Sequence, residues 1–198
     1  MPCFILIGGQ SRRMGAPKSS LLLGKETFLS RTLRVAHEVF GEVLMIDRHS
    51  ETIGRASADV LFEEPHPGDG PIFGIATALR HSASEKVWLL AVDYPEMTSE
   101  LLFHLAGEFL RLPCDLLVPE WSGKMQMLCA GYSRALLPVI EKRIAESHFR
   151  LRNLIDPGTT CVIREDVLRA RFSGEPLMNV NTREEYDLLR RSDASGPG

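Results

Sequence analysis

Glycines, arginines and a lysine crowd the first eighteen residues, in the run Ile7-Gly8-Gly9-Gln10-Ser11-Arg12-Arg13-Met14-Gly15-Ala16-Pro17-Lys18. Glycine lets the backbone come close to a ligand and takes positive φ without penalty. Adjacent N–H groups in such a turn form an anion-binding concavity. Arg12, Arg13 and Lys18 add positive charge around it, and no acid interrupts them. The chemistry this suits is polyphosphate binding, with Lys18 placed to stabilise charge that develops on a phosphoryl group. It is neither of two familiar phosphate loops. Lys18 does not follow a glycine, which excludes the Walker pattern, and Gly9 directly follows Gly8, which excludes the dinucleotide fingerprint. An ordinary strand-to-helix turn with solvated charges has the same composition, so downstream residues must decide.

Three downstream stretches bear on that choice. Asp93, in Ala91-Val92-Asp93-Tyr94-Pro95, directly follows an apolar run. Magnesium favours one or two carboxylates together with substrate phosphates; the plainer reading is an aspartate opening the turn before Pro95. Asn179-Val180-Asn181-Thr182 precedes an acidic helix with Glu184 and Glu185. A side-chain amide there could orient a phosphate or complete a metal's shell, and Asn and Thr before a helix serve equally well as caps. Gly70-Pro71 reads as a turn with Pro71 at the first helical position. The six histidines show no paired ligand spacing, and no G-x-S-x-G elbow exists for a Ser/His/Asp hydrolase.

The elements that must position these residues follow from periodicity. The unbroken apolar run 3–7 reads as a strand buried on both faces. Helical spacing runs over 26–40, with Gly41 as its cap. Strands are expected at 43–46, 59–62, 86–92 and 115–118, and helices at 72–81 and 98–111, the latter capped by Thr98. The loop between Phe62 and Ile72 carries Glu63, Glu64 and several glycines and prolines. This alternation predicts an α/β, Rossmann-like doubly wound, mainly parallel sheet, with the ligand at the carboxyl ends of its strands. The opening loop, Glu64, the Gly70-Pro71 turn and Asp93 all fall on that edge. The second half is more mixed and reads as a smaller lobe. It has a hairpin or lid at 119–124, a strand at 125–132, a helix at 135–144, a short helix at 149–155, a strand at 159–163 and a last helix at 183–190 capped by Thr182. One domain over 1–192 with a flexible tail at 193–198 is expected.

With 198 residues and 44% hydrophobic content the chain can bury a substantial core. Its net charge of −3 gives no global basic field for nucleic acid or anionic membrane, so phosphate attraction must be local. Cys3, Cys114, Cys129 and Cys161 are far apart and form no C-x-x-C, which reads as reduced thiols rather than zinc ligands. Neither a leader pattern nor an apolar run of bilayer length occurs, so a cytoplasmic protein is expected.

The pattern Leu6-x-Gly8-Gly9-x-Ser11-x-Arg13-Met14-Gly15-x-x-Lys18, together with Gly70-Pro71-Ile72-x-Gly74, Asp93-Tyr94-Pro95 and Asn179-Val180-Asn181-Thr182, resembles the motifs of the molybdenum cofactor guanylyltransferases. The resemblance spans essentially the whole chain. It implies the nucleotide-diphospho-sugar transferase fold and a transferase that joins GMP from Mg-GTP to molybdopterin, releasing pyrophosphate. It implies nucleotide contacts from Leu6, Gly8, Gly9, Ser11, Arg12, Lys18, Glu64, Gly70, Pro71 and Asp93. Catalytic roles fall to Arg13, Lys18 and Asp93, and metal binding to Asp93 and Asn181. Arg150, Arg152 and Asn179 are candidates for the pterin phosphate from charge and position. Transient contact with molybdoenzymes or other cofactor-biosynthesis proteins is a further implication. There are departures: Asp47 ends the second strand where relatives often carry asparagine, Glu64 replaces a usual aspartate, and Gln126-Met127 replaces a histidine-proline pair of some relatives. A cytidylyl- or sugar-phosphate nucleotidyltransferase is the neighbouring alternative, and a non-catalytic GTP-binding or cofactor-delivery module the more distant one.

Overall fold

The computed structural model describes residues 1–7, 17–47, 60–62 and 70–194. In chain order the elements are β1 (Cys3–Leu6), β2 (Leu22–Leu23), β3 (Glu26–Thr27), α1 (Phe28–Val39), β4 (Val43–Asp47), β5 (Val60–Phe62), α2 (Ile72–His81), β6 (Lys86–Ala91) and α3 (Ser99–Arg111). They continue with β7 (Leu116–Trp121), β8 (Lys124–Met125), β9 (Cys129–Ser133), α4 (Leu137–Ala145), β10 (Thr160–Ile163), α5 (Glu165–Arg169) and α6 (Arg183–Ala194).

The sheet runs β10-β7-β9-β6-β1-β4-β5, with β8 paired to β7. The pairs β1–β4, β1–β6, β4–β5 and β7–β10 are parallel, and β9 is inserted antiparallel between β6 and β7. The chain thus winds outward in one direction from β1 to β4 and β5, then returns to place β6 on the other side of β1. The strand order reverses between β1 and β6, where ligands bind in open parallel sheets. Both strands end level there, Leu6 opposite Ala91. Phe4, Ile5, Val87, Trp88, Leu89 and Leu90 are all fully buried, as continuous apolar runs in a covered sheet should be. The helices pack in pairs, α1 with α3 and α2 with α4.

A second, smaller core lies apart from the sheet. Leu21, Leu23 and Phe28 from the β2–β3 hairpin region meet Val180, Tyr186 and Leu189 from the end of the chain. Phe28 and Tyr186 meet edge-on at 5.9 Å, and the Tyr186 hydroxyl donates to the Leu22 carbonyl at 2.7 Å. Full burial of a Phe or Leu side chain contributes about 1.5–3 kcal/mol, so this cluster ties the chain's two ends together.

Several boundaries differ from expectation. Glu26 and Thr27 form β3, and α1 starts only at Phe28 because the Thr27 hydroxyl caps it by accepting from Ser30 N–H at 3.0 Å. Gly41 is not in the left-handed region, so it is no C-cap; the chain leaves α1 through extended Phe40. Of the hairpin or lid expected at 119–124, the structure has the hairpin: β7 runs on to Trp121, and Ser122 and Gly123 (φ 49° and 66°) make a two-residue turn into β8. Positive φ at both turn positions matches the twist of a tight hairpin. The strand expected over 125–132 is interrupted and resumes as β9. The short helix expected over 149–155 is a 3₁₀ turn, Leu151–Leu154. Helix α5 has no counterpart among the expected elements. Helix α6 runs four residues beyond Arg190 to Ala194, into the expected tail; residues 195–198 lie outside the described residues.

Candidate active site

Asp93 stands just past the carboxyl end of β6, beside the end of β1. Three elements hold the backbone around it. Val92 N–H donates to the Leu6 carbonyl at 3.4 Å, Val180 N–H donates to the Asp93 carbonyl at 3.0 Å, and Arg31 Nε of α1 donates to the Pro95 carbonyl at 3.0 Å. A turn closes the stretch, Met97 N–H donating to the Tyr94 carbonyl at 3.2 Å.

Lys18 arrives from the other end of the sequence. Pro17, at φ −58°, leads into a single 3₁₀ turn, Lys18–Ser20, and Leu21 then drops into the small core. Asn181 arrives from the opposite side of that core, next to buried Val180. A reciprocal capping box fixes its backbone. Glu185 N–H donates to Thr182 Oγ1 at 3.2 Å, while Glu185 Oε2 accepts from Thr182 N–H at 2.9 Å and from Asn181 N–H at 2.6 Å. The T-x-x-E pattern is itself legible in the sequence and adds the glutamate half to the expected threonine cap. Glu185→Ala should lower stability by about 1 kcal/mol, in the range for lost caps, as read from denaturant midpoints. Glu185→Gln should recover most of the loss, because its amide oxygen still accepts.

The three residues meet. Lys18 Nζ donates to Asn181 Oδ1 at 2.8 Å and lies 3.5 Å from Asp93 Oδ2. The Lys18 and Asp93 side chains are only 19% and 13% exposed, so this ion pair is screened far less than a surface one. The other carboxylate oxygen, Asp93 Oδ1, is buried with no hydrogen-bond partner. Burial pushes the Asp93 carboxyl above its ordinary range, and the Lys18 ammonium and Asn179 amide only partly draw it back.

Asn179, expected with Arg150 and Arg152 at the pterin phosphate, lies with the carboxylate, where its amide favours the ionised forms of Asp93 and Tyr94. Buried Tyr94 donates to Gln126 Oε1 at 3.3 Å. Gln126 Nε2 donates to the Trp121 and Lys124 carbonyls at 3.1 and 3.2 Å, so the β7–β8 hairpin reaches the Asp93 turn through Gln126. Nothing in the sequence signals that link, because Tyr94 and Gln126 lie 32 residues apart and share no pattern.

The other expected site residues are placed less centrally. Leu6 is a buried core side chain whose carbonyl is taken by Val92. Gly70 has φ 144°, which a side chain rarely adopts, and an added Cβ would meet Phe149 at 3.7 Å. Pro71 is the N-cap of α2, one position earlier than expected. Phe149 packs on Phe73 at 5.1 Å, which sets Arg150 beside the start of α2; Arg150 and Arg152 are both exposed. Gly8, Gly9, Ser11, Arg12, Arg13 and Glu64 lie outside the described residues.

Among the described residues no group of three or more His, Cys, Asp and Glu gathers to hold a metal. What exists is one carboxylate with an unpartnered oxygen and an amide oxygen already turned toward a cation. That donor set suits an ion that takes few protein ligands and completes its shell with phosphate and water, the habit of magnesium.

A carboxylate, an ammonium and an amide meet at the reversal point of a parallel sheet, the place where open α/β sheets take their ligands. Residues 3–161 match the MobA-like NTP transferase domain, and the chain belongs to that family. A relative from Aquifex aeolicus, named a probable molybdenum cofactor guanylyltransferase, is 30% identical over 188 residues, covering 94% of this chain and 89% of the relative. One from Carboxydothermus hydrogenoformans with the same name is 29% identical over 187 residues, covering 93% and 92%. The fold matches the crystal structure of molybdopterin-guanine dinucleotide biosynthesis protein A from Archaeoglobus fulgidus with a TM-score of 0.83, at 23% identity, covering 99% of this chain and all of that one.

Proposed function

We propose that this protein transfers GMP from GTP to the terminal phosphate of molybdopterin, forming the guanine dinucleotide form of the cofactor and releasing pyrophosphate. The observation that carries the reading is the meeting of Lys18, Asp93 and Asn181, from three distant motifs, at the reversal point of the sheet. The names of the family's relatives supply the guanylyl and molybdopterin identities.

The reaction is a single in-line displacement. An oxygen of the pterin phosphate forms a bond to the α-phosphorus of GTP, the bond to the bridging oxygen breaks, and pyrophosphate leaves with that electron pair. Little covalent work falls to the protein, which positions groups and neutralises charge. Gly8, Gly9, Ser11, Arg12 and Arg13 are assigned to the triphosphate, and Glu64, Gly70 and Pro71 to the base and ribose. Lys18 stabilises the α-phosphate. Asp93 and Asn181 would hold Mg²⁺, which when bound offsets phosphate charge, with Asn179 steadying the carboxylate. Arg150 and Arg152 are assigned to the pterin phosphate. No described helix is long and apolar enough to cross a membrane. The four unpaired cysteines suit a reducing compartment, and we assign the reaction to the cytoplasm.

Pyrophosphate release, measured with each nucleoside triphosphate and molybdopterin, tests the assignment. Turnover is expected with GTP alone. Turnover with CTP but not GTP would move the protein to the cytidylyl branch, and tight GTP binding without turnover would make it a binding module.

A further inference from the structure

The position a divalent ion would take between Asp93 and Asn181 already holds a cation, the Lys18 ammonium. We propose that Lys18 guards this seat and yields it only when a polyphosphate offers its ammonium another partner, so that metal enters with the nucleotide and not as a bare ion. The proposal rests on the reading of Asp93 and Asn181 as metal ligands.

The ammonium and a metal ion would compete for the same oxygens. Lys18 touches Asn181 Oδ1 at 2.8 Å and Asp93 Oδ2 at 3.5 Å, so its ammonium already takes the amide oxygen and one of the two carboxylate oxygens of the donor set, leaving Asp93 Oδ1 as the third. Two cations at contact distance in a place this little exposed repel strongly. The backbones on both sides are anchored, so they cannot simply part. Leu21 follows Lys18 into the small core, Val180 precedes Asn181 in the same core, and the Thr182–Glu185 box ties Asn181 N–H. The freedom left is in the four-carbon stem of Lys18, a flexible carrier of a compact charge.

A bare ion would therefore have to evict the ammonium from its carboxylate. A triphosphate changes the balance, because phosphate oxygens receive the ammonium as the metal takes its place. Metal and nucleotide then bind with positive coupling, and the coupling is reciprocal. Lys18 thereby acquires a task before the chemical step: it keeps the buried carboxylate paired and sets the order in which ligands enter.

The test is Mn²⁺ binding, followed by its electron paramagnetic resonance signal or by titration calorimetry. Without nucleotide, Lys18→Met should bind Mn²⁺ more tightly than the wild type by about tenfold, within the usual span of coupling between sites. Lys18→Gln, which keeps a polar end, should show the same direction, so a folding defect in one variant does not leave the matter undecided. Equal or weaker Mn²⁺ binding by both folded variants would overturn the proposal. A separate arm tests the reading beneath it: Mn²⁺ should raise GTP affinity in the wild type, and Asp93→Asn should abolish that increase. If the increase survives Asp93→Asn, the metal lies elsewhere and the reading itself fails. If it is lost but neither Lys18 variant gains Mn²⁺ affinity, only the guarding role falls.

Discussion

Asp93→Asn should lose turnover by about a thousandfold, the scale of removing a group that stabilises charge in a phosphoryl or acyl transition state, and yet be no less stable than the wild type. The two halves have one cause. The carboxyl is buried, one of its oxygens has no hydrogen-bond partner, and its pKa is raised by burial even against the Lys18 ammonium. A carboxyl whose folded pKa exceeds its unfolded value supports the fold fully below the unfolded value, and that support is lost as pH rises through the folded one. Above that folded pKa the wild type therefore carries an ionised group that the fold disfavours. Asparagine has nearly the same shape, no charge, and an amide that Lys18 need not balance, since Lys18 keeps Asn181. The difference in melting temperature, variant minus wild type, should be smallest in acid and grow in the variant's favour toward neutral pH. Pyrophosphate release and thermal melts across pH measure the two halves. Near-normal turnover would remove Asp93 from the site; a large loss of stability at neutral pH would show that the Lys18 pair outweighs desolvation.

That opposition between local stability and site chemistry also explains what the sequence made legible. Buried parallel strands announce themselves as apolar runs, so β1, β4 and β6 could be read from residue type alone, whereas the reversal between β1 and β6 follows only from their pairing. Asp93 could be found because it breaks such a run with a carboxylate at a strand's ligand edge. Lys18 and Asn181 could be named from their motifs, but not their contact. That contact depends on the small core of Leu21, Leu23, Phe28, Val180, Tyr186 and Leu189, whose members come from the two ends of the chain. Each end contributes too few apolar residues to show a pattern of its own. Short pieces failed for a related reason: two-residue strands such as β2 and β3 have no period to detect, and the break between β8 and β9 comes from Gln126 bonding to the hairpin's carbonyls. The sequence motifs name Asn179, Tyr94 and Gln126 singly, but their meeting around the carboxylate is tertiary and leaves no local trace.

Gly131→Ala is the other substitution with a large expected effect, and its profile should be the reverse of Asp93→Asn. Gly131 sits in β9 between Trp88 of β6 and Leu117 of β7, deep in the sheet. Its φ is not in the left-handed region, so glycine is needed there for space and not for conformation. An added Cβ would stand 2.5 and 2.6 Å from Cγ and Cε1 of the Phe109 ring, and closer still to Cδ1. The ring has little room to yield. Phe109 is fully buried in α3, and its ring meets Trp88 edge-on at 6.4 Å. Lys86 Nζ lies 4.5 Å from the ring centroid and ties the end of α3 to β6, donating to the Phe109 and Leu112 carbonyls at 2.6 and 3.0 Å. Overpacking a core this closed should cost about 3 kcal/mol, read from urea midpoints. Phe109→Leu should relieve the clash, so the double variant should be less destabilised than the sum of the two single ones, a coupling that a double-mutant cycle isolates. A loss under about 0.5 kcal/mol, the range of ordinary surface substitutions, would mean that α3 slides freely over β9. Turnover by the folded fraction should stay near normal. The Asp93 turn takes its position from Leu6, Arg31 and Val180, none of which touches the Phe109 ring in any described contact.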